Sequence, residues 1–504
     1  MSPRGWLHNP VLQGFYPDPS VCRVGDTYYM ACSSFEYFPG VPLFRSKDLA
    51  NWQLLGHALT RPSQLPLAGC GASRGIFAPT LRHHSGVFYL ITTNVGQGGN
   101  FLVTASDPAG PWSEPVWIDD GWFDPSLLFD SDGKVYYTRR GGPSAIVQAE
   151  IDVTTGRLLT PLRDVATGFV SPDCEGPHLY HIGEWYYLLL AEGGSRTGHM
   201  ITIGRARGPW GPFQPAPHNP ILTNRDLTNN PVRSVGHGEL IEAGDKSWWM
   251  ACLGTRHETY ESFGLLGRET YILPVAWTAD GWPVVNQSRP VTLDPISLPW
   301  PIAPAQSAPS NWNFSGESSN ALADPGWLHL RSRASLACVA SQPLRITATA
   351  DTLDDPSGAP AFLGRRLPSL RASCSLRLDS LASGECGLAF YLDPRHHLDL
   401  LLVGPASGRT LQLRLRLGDA IALLACLMVP PGPATLCLAL DNLTATASAE
   451  LADGRSVHFG ACDVRYLAPE VAGAWTGLVA AAFAQHGGFA DLLNYELRVA
   501  PSFV

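Results

Sequence analysis

A short aromatic pattern repeats five times in the first 300 residues, and this repeat restricts the fold more than any other feature of the chain. Each copy is a turn containing Gly or Asp that is followed by adjacent aromatic residues, as in a β-hairpin. The copies recur at roughly 50–60 residues, a spacing typical of repeat architectures. They occupy residues 25–29, 86–89, 133–137, 183–187 and 245–249. With four strands in each repeat, the pattern predicts a five-bladed β-propeller.

A second set of residues lies at the equivalent place in each repeat, where the strand before the turn begins. In a propeller the first strand of every blade lines the central channel, so these residues would form a ring around one mouth. The ring consists of Asp18, Ala78, Asp124, Glu175 and His237. A single Asp-Pro-Ser or Glu-Gly-Pro segment is most often only a turn or a cap. Clustered carboxylates, however, repel one another, and folding alone does not favour them, so we interpret the three acids as a functional cluster.

Three carboxylates around a channel suit the hydrolysis of a glycosidic bond. This reaction needs an acid for the leaving oxygen and a base or nucleophile on the opposite face of the sugar. A third carboxylate nearby can keep the acid protonated by like-charge repulsion. Calcium sites usually take their carboxylates from one loop, and the sequence has no Asp-x-Asp-x-Asp-Gly segment.

Aromatic and cationic side chains can form the walls of a sugar site around these acids. Phe35, Tyr37 and Phe38 follow the second predicted strand of the first blade, where they can stack on a sugar or simply pack at the rim. Arg268 can hold sugar hydroxyls or neighbouring carboxylates, and its alternative role is a structural salt bridge. Both alternatives remain open from these residues alone.

Charge and hydropathy exclude several classes of partner. The net charge is −9 and no Lys/Arg-rich run is present, so neither nucleic acid nor an anionic membrane is an expected partner. No stretch approaches the ~20 apolar residues of a membrane helix. The N-terminal residues lack the apolar run of a signal peptide, and the 11 cysteines are scattered without metal-like spacing. We therefore expect a reduced, cytoplasmic protein.

These segments resemble glycoside hydrolase family 43, in particular its two-domain β-xylosidase and α-L-arabinofuranosidase group. The resemblance is carried, in the family's order, by residues 9–20, 34–40, 46–49, 51–52, 61–65, 121–127, 175–180, 191–194 and 266–270. It implies an enzyme that inverts the anomeric configuration and needs no organic cofactor. By this resemblance Asp18 is the general base that activates water and Glu175 is the general acid. Asp124 is then the residue that tunes the pKa of the acid and orients it.

The same resemblance assigns further residues to the substrate site. His237 resembles the family's channel histidine, Arg268 its substrate-side arginine, and Phe35 the aromatic wall of the sugar site. Phe77 stands where the family commonly has Trp, so it can still stack on a sugar but lacks the indole area and N–H. This difference bears on the preferred pentose rather than on the reaction. Some family members hold calcium near the channel histidine, so the resemblance also allows Ca²⁺ beside His237.

The C-terminal part predicts a second all-β domain. Five prolines between residues 295 and 309 predict a stiff linker, and the period-two alternation of residues 375–379 and 411–417 predicts a β-sandwich. The predicted boundaries are 1–294 for the catalytic propeller, 295–309 for the linker and 310–504 for a sandwich of the concanavalin or jelly-roll type.

Two segments of the predicted sandwich bear on function. By the family resemblance, a loop of this domain caps the active site, and residues 483–489 are the candidate here. The adjacent pair His396 and His397 would point to opposite faces of a strand, which argues against a shared metal.

Together these observations predict an inverting exo-acting β-1,4-xylosidase of xylan degradation. It would release xylose from the non-reducing ends of short xylo-oligosaccharides, with α-L-arabinofuranosidase activity at its side. One alternative is an enzyme whose main activity is on arabinofuranosides or arabinan. The other is a sugar-binding propeller without catalysis, against which the retention of all three acids speaks. The sequence leaves a homo-oligomer open.

Overall fold

The structure, a computed structural model, describes residues 5–259, 263–304, 309–315, 321–333, 336–337, 343–405 and 408–500. Regular structure in these residues is almost entirely β-strand, and their single α-helix, Pro469–Ala472, has four residues. The prediction of an all-β chain is therefore confirmed. Nowhere in these ranges does a helix have the length and apolar character needed to cross a membrane.

Five antiparallel sheets of four or five strands form the N-terminal propeller. Blade 1 contains Ser20–Val24, Thr27–Ala31, Gly40–Ser46 and Gln53–Leu59; blade 2 contains Thr80–His84, Val87–Asn94, Gly99–Ala105 and Val116–Asp119; blade 3 contains Ser126–Phe129, Val135–Gly142, Ala145–Asp152, Arg157–Leu158 and Arg163–Ala166; blade 4 contains Cys174–Ile182, Trp185–Glu192, Met200–Ala206 and Gln214–Pro215; blade 5 contains Val232–Glu242, Trp248–Arg256, Arg268–Trp277 and Pro283–Val285. Each predicted aromatic repeat lies at the turn into the second strand of its blade. The five repeats therefore correspond to five blades, as predicted.

The first strands of the blades form a closed ring, because those of adjacent blades contact each other and blade 5 contacts blade 1. A buried ion pair between Arg82 and Glu239 lies inside this ring. Glu239 also accepts a hydrogen bond of 2.7 Å from the backbone N–H of Val21, and Arg82 donates one of 3.1 Å to the carbonyl of Leu127. This ion pair and its two hydrogen bonds thus connect blades 1, 2, 3 and 5. Each of the two buried charges lies beside an opposite charge, which offsets the cost of its desolvation.

The propeller is closed near the N-terminus by contacts outside the blades. Trp6–Leu7 pairs with Ile296–Ser297 in a two-stranded sheet. The side chain of Asn9 donates to the carbonyl of Ile272 and accepts from its N–H, at 2.9 Å in each case. The chain after blade 5 therefore returns along the N-terminal segment.

Two antiparallel sheets form the C-terminal sandwich, as predicted. The six-stranded sheet has the spatial order Ala361–Arg366, Val479–Gln485, Glu385–Asp393, His396–Val403, Thr410–Leu417 and Ala420–Met428. The facing sheet contains Asn311–Asn313, Leu336–Ala337, Leu344–Thr347, Arg371–Leu381, Ala434–Asp441, Thr444–Leu451, Ser456–His458, Cys462–Asp463 and Phe489–Val499. Leucine and alanine side chains from the inner faces of both sheets form one continuous core.

The two domains share direct contacts in addition to the chain between them. Tyr37–Phe38 of the propeller pairs with His329–Leu330 in a small antiparallel sheet. Arg366 donates a hydrogen bond of 2.9 Å to the carbonyl of Phe15, and its guanidinium lies 4.5 Å from the centre of that ring. These contacts hold the sandwich against blade 1 and bring it beside the channel.

The two adjacent histidines of the sandwich have different partners, as their opposite orientation predicted. His396 Nδ1 lies 2.9 Å from Asp393, whereas His397 contacts Asp399 at 2.8 Å and Asp354 at 3.1 Å. Burial by itself lowers the pKa of His397, but the two carboxylates outweigh this effect and raise the pKa to about 9.

Candidate active site

The backbone places four side chains of the predicted ring in one mouth of the channel. Asp18 and Asp124 each stand two residues before the first strand of their blade, and both adopt left-handed φ values of 55° and 59°. His237 in blade 5 has a φ of 48°, and in blade 4 Gly176, next to Glu175, has a φ of 55°. Such a conformation costs a non-glycine residue on the order of 1–3 kcal/mol and is concentrated at functional sites.

Asp18 is buried among hydrogen-bond donors. Ser33 Oγ donates to Oδ2 at 2.5 Å, Arg268 Nη1 donates to Oδ1 at 3.2 Å, and His237 Nδ1 lies 3.7 Å from Oδ1. Burial works to raise the pKa of Asp18, but Arg268, His237 and Ser33 together hold the pKa below its ordinary value. This carboxylate is therefore ionised at neutral pH.

Asp124 has the opposite electrostatic character. Burial is the main cause, and the neighbouring charges of Glu175 and Asp18 add to it, so the pKa of Asp124 rises to about 7 although His237 opposes the shift. Its Oδ2 accepts a hydrogen bond of 3.0 Å from the N–H of Gly176. A Cβ atom on Gly176 would lie 2.9 Å from the ring of His237, so only glycine fits between the acid and the histidine.

Glu175 has a donor on each of its carboxylate oxygens. Arg140 Nη1 donates to Oε2 at 2.6 Å, and Ser195 Oγ donates to Oε1 at 2.8 Å. Neither partner was identified from the sequence. Ser195 directly follows residues 191–194, one of the segments that resemble the family. This position in the sequence could have indicated a residue of the site.

Arg140 is itself fixed from several sides. Its Nη2 donates to Asp173 at 2.9 Å and to the carbonyl of Pro143 at 3.1 Å. Its guanidinium lies 5.2 Å from the ring of Trp122 and 5.3 Å from that of Phe123. An arginine in this position could have been suspected from the unusual Arg-Arg pair at the end of a buried strand.

Aromatic rings continue from blade 1 to blade 3 beside the acids. Phe35 and Phe77 have ring centres 5.8 Å apart, and Phe77 and Phe123 have ring centres 5.4 Å apart. Phe35 also lies 5.7 Å from the guanidinium of Arg268. Phe35 and Phe77 are thus brought to the site as predicted, whereas Tyr37 and Phe38 lie buried in the contact with the sandwich.

The sandwich contributes a residue to the site, but not from the predicted segment. Phe483 lies in the core strand Val479–Gln485 and is fully buried, and Phe489 begins the last strand. The loop prediction was therefore wrong, because residues 479–484 alternate between two apolar layers and the turn 486–488 packs against Ser383 and Gly384 of the sandwich. Trp475 takes this place instead: its ring lies 5.3 Å from the guanidinium of Arg268, and its backbone N–H donates to Ser73 Oγ at 2.9 Å.

The environment of His237 does not form a calcium cage. Ca²⁺ takes six to eight oxygen ligands, whereas the carboxylate near His237 is already held by Ser33 and Arg268. Within the described ranges, no group of three His, Cys, Asp or Glu residues is arranged to hold a metal ion.

Three acids in three different electrostatic environments, beside an aromatic wall in the channel of a five-bladed propeller, define a glycoside hydrolase. The family model of glycosyl hydrolases family 43 matches residues 7–283, and that of the beta xylosidase C-terminal concanavalin A-like domain matches residues 311–492. The chain belongs to glycoside hydrolase family 43.

Relatives in this family resemble the chain over nearly its whole length. The non-reducing end α-L-arabinofuranosidase BoGH43B of Bacteroides ovatus is 37% identical over 496 residues, which cover 96% of this chain and 92% of that protein. A xylosidase/arabinosidase of Butyrivibrio fibrisolvens is 39% identical over 425 residues, or 79% of this chain and 80% of the relative. The crystal structure of a xylan β-1,4-xylosidase from Bacillus halodurans superposes with a TM-score of 0.90 at 29% identity, covering 98% of this chain and 100% of that one.

Proposed function

We propose that the chain is an inverting exo-β-1,4-xylosidase that removes single xylose units from the non-reducing ends of short xylo-oligosaccharides, with α-L-arabinofuranosidase as a second activity. The observation that carries this proposal is the separation of the three acids by environment. Asp18 is held as an anion, Asp124 has a pKa raised to about 7, and Glu175 has a donor on each oxygen. An inverting hydrolase needs such a division between a base and an acid.

The contacts of each acid support its role. Asp18, ionised beside Arg268, is the base that takes a proton from the attacking water. Glu175 is the acid for the leaving oxygen; because Arg140 can only donate, Oε1 is the oxygen that carries the proton. Asp124, which accepts from the N–H of Gly176 directly after Glu175, is the residue that orients and tunes this acid.

Exo action is supported by what surrounds the acids on the side of the sandwich. Trp475 stacks on Arg268, which bonds Asp18, and the backbone N–H of Trp475 donates to Ser73 Oγ of the propeller. The guanidinium of Arg196 lies 5.1 Å from the ring centre of Trp475, and it donates to the carbonyl of Ala474 at 3.1 Å. A loop held in this way restricts the site to the end of a sugar chain.

The second candidate is an α-L-arabinofuranosidase as the main activity. It is favoured by the 37% identity with BoGH43B, which is named as an enzyme of that kind. Phe77, in place of the Trp expected from the family, lies between Phe35 and Phe123 in the aromatic wall. The ring of Phe77 offers a pentose a smaller stacking surface than Trp would. We therefore expect Phe77 to affect the preference between xylose and arabinose.

The roles are tested with Asp18→Asn and Glu175→Gln, assayed on an aryl β-xyloside whose leaving group needs protonation. We expect each variant to lose at least about 10²-fold in kcat, because general acid or base catalysis is removed. Asp245→Asn, an exposed carboxylate in the turn of blade 5, is the matched control and should keep its activity. Near-normal kcat in either site variant would refute the assignment of roles.

The stereochemistry and the sugar are tested by NMR of the first product. Initial α-xylose is the expected product, and initial β-xylose would refute inversion. A larger kcat/KM for the aryl α-L-arabinofuranoside than for the xyloside would favour the second candidate. Calorimetric binding of xylo-oligosaccharides without any turnover would instead indicate a binding propeller.

A further inference from the structure

The last strand of the six-stranded sheet, Ala420–Met428, is apolar along its whole length and open to solvent. It consists of Ala, Ile, Leu, Cys and Met, without a charged or hydroxyl-bearing side chain. Of the 15 large hydrophobic side chains exposed in the described part of the chain, five belong to this strand. They are Ile421, Leu423, Leu424, Leu427 and Met428, with exposures of 37–62%.

Both faces of this strand are exposed, which is unusual for a sandwich. Side chains alternate between the two faces of a strand, and one face normally packs on the opposite sheet. Here Ile421, Leu423 and Met428 on one face and Leu427 on the other are exposed, and so is Leu424, which stands at a β-bulge between them. The strand therefore extends past the cover of the facing sheet.

The backbone of the same strand is paired on one side only. Ala420–Met428 pairs with Thr410–Leu417, and no strand among the described residues pairs with its outer edge. Native proteins blunt such edges with charges, short length, proline or a covering segment. The opposite edge of this sheet, Ala361–Arg366, is covered, since Gly364 exchanges two backbone hydrogen bonds of 2.9 Å with Leu328. The strand Ala420–Met428 has a β-bulge at Leu424, but its outer edge carries no charge, no proline and no covering strand from the described residues.

We propose that this edge joins two copies of the chain, with Ala420–Met428 pairing antiparallel to its own counterpart across a twofold axis. Antiparallel pairing of a strand with itself is isologous and closes after two copies. A charged strand would place like charges opposite each other in such a pair, whereas this strand places apolar side chains together on both faces. The six-stranded sheets would then continue into one another.

The ends of the strand define the length of the pairing. After Met428 the chain reads Val429-Pro430-Pro431, and proline cannot donate to a further ladder bond. Before Ala420, Asp419 lies in a turn and is paired with Arg395 at 3.0 Å. The apolar stretch is thus bounded on both sides, and nine residues of each copy face each other.

Other segments of this sequence are too short to take the same place. The strand is about 30 Å long. No internal stretch outside the described ranges exceeds five residues, which span at most ~18 Å when fully extended. A second copy, in contrast, supplies a strand of the same length and composition.

The full chain is tested by light scattering and sedimentation from nanomolar to tens of micromolar. We expect wild type to have twice the mass of Leu423→Lys, because a lysine on this edge opposes its own copy. Leu159→Lys is the matched control, since Leu159 is 51% exposed and Leu423 is 55% exposed. It should keep the wild-type mass. Wild-type protein that is monomeric at every concentration would overturn the proposal.

A second measurement avoids dependence on one variant. Amide hydrogen exchange of residues 420–428 in wild type should become faster on dilution, while exchange in the blades stays constant. Ile421→Lys should halve the mass as Leu423→Lys does, and both should retain xylosidase activity and a cooperative thermal transition. Exchange independent of concentration, or a mass unchanged in both folded variants, would show that the copies do not meet at this edge.

Discussion

Glu175 has two donors of different kind, and this difference determines which oxygen can deliver a proton. Arg140 presents only N–H groups to Oε2, so a proton on that oxygen would face a donor. Ser195 can also accept, so Oε1 can be protonated without loss of its contact. Asp173 and the ring of Trp122 keep Arg140 in place. We therefore treat Arg140 as a positioning residue for the acid.

Replacement of Arg140 by Met keeps the apolar stem over Trp122 and Phe123 but removes the cation. We expect kcat to fall by roughly 10–100-fold with a smaller change in KM, because charge-assisted hydrogen bonds orient the carboxyl group. Steady-state kinetics at the pH optimum measure kcat and KM separately.

Arg163→Met is the control for this experiment, because Arg163 also lies over a tryptophan ring, 5.3 Å from Trp210, but on the outer part of blade 3. Arg140→Lys should recover part of the activity by keeping the charge. A kcat near that of wild type in Arg140→Met, or a loss that Arg140→Lys does not partly recover, would contradict the positioning role.

The residues predicted from the sequence are those that the repeat marks. Asp18, Asp124 and Glu175 stand at equivalent points of three blades, so counting the blades was enough to bring them together. Arg140 and Ser195 lie at other points of their blades, where the repeat carries no information. Their contacts with Glu175 depend on side-chain directions that periodicity does not specify.

At the scale of single elements, the strand His396–Val403 contains a buried ionic network. His397 lies between Asp399 of its own strand and Asp354, and Arg414 of the next strand bonds both Asp399 and Glu385. The raised pKa of His397, about 9, means that its charge stabilises the folded sandwich. Removal of only one partner from such a network leaves a buried charge unpaired.

His397→Gln should therefore destabilise the protein in a pH-dependent way. The folded-state pKa of about 9 lies above the ordinary value of 6.5, so the stabilisation is complete below pH 6.5 and is lost as pH rises through 9. We expect a difference in unfolding free energy of about 2–3 kcal/mol at pH 6 that shrinks towards pH 9.5. Urea unfolding across this range measures it. The exposed His458→Gln should show no such trend, and a difference independent of pH would contradict the role of the charge.

At the scale of the whole molecule, the contact between the domains leads directly to the active site. Glu36 of the propeller accepts from the N–H of Ser73 at 3.0 Å, and Ser73 Oγ accepts from the N–H of Trp475 at 2.9 Å. Arg331 of the sandwich donates its backbone N–H to the carbonyl of Glu36 at 3.0 Å. Burial raises the pKa of Glu36 to about 7, although Arg331 opposes the shift.

Glu36→Gln should make the protein less sensitive to alkaline pH. The folded-state pKa of Glu36 exceeds the ordinary 4.5, so wild type loses stability between pH 4.5 and about 7, by at most about 1.4 kcal/mol per pH unit. Glutamine can still accept the hydrogen bond from the N–H of Ser73. Because its side chain does not titrate, the variant does not lose stability over this pH range. Calorimetry should give the variant a higher Tm than wild type at pH 8, with a smaller or reversed difference at pH 5. The exposed Glu450→Gln is the control, and equal differences at both pH values would contradict the prediction.

The docking of the domains could not be predicted from local patterns. The repeat and the period-two alternation each describe neighbours in sequence, whereas Tyr37–Phe38 of the propeller pairs with His329–Leu330 of the sandwich, far along the chain. Trp475 was missed for the same reason, since its place is set by contacts with Arg268 and Ser73 and not by its own segment.

Every blade is built from one contiguous stretch of chain, and this has a consequence for the order of events during synthesis. Each blade can pair its strands as it leaves the ribosome. Asp18, however, is made 250 residues before Arg268, its charge partner. At 5–20 residues per second this is a delay on the order of 10–50 s. Trp475 follows later still. The nascent chain therefore contains the first of the three channel carboxylates long before the residues that surround it, and the site is complete only after Trp475 has been made.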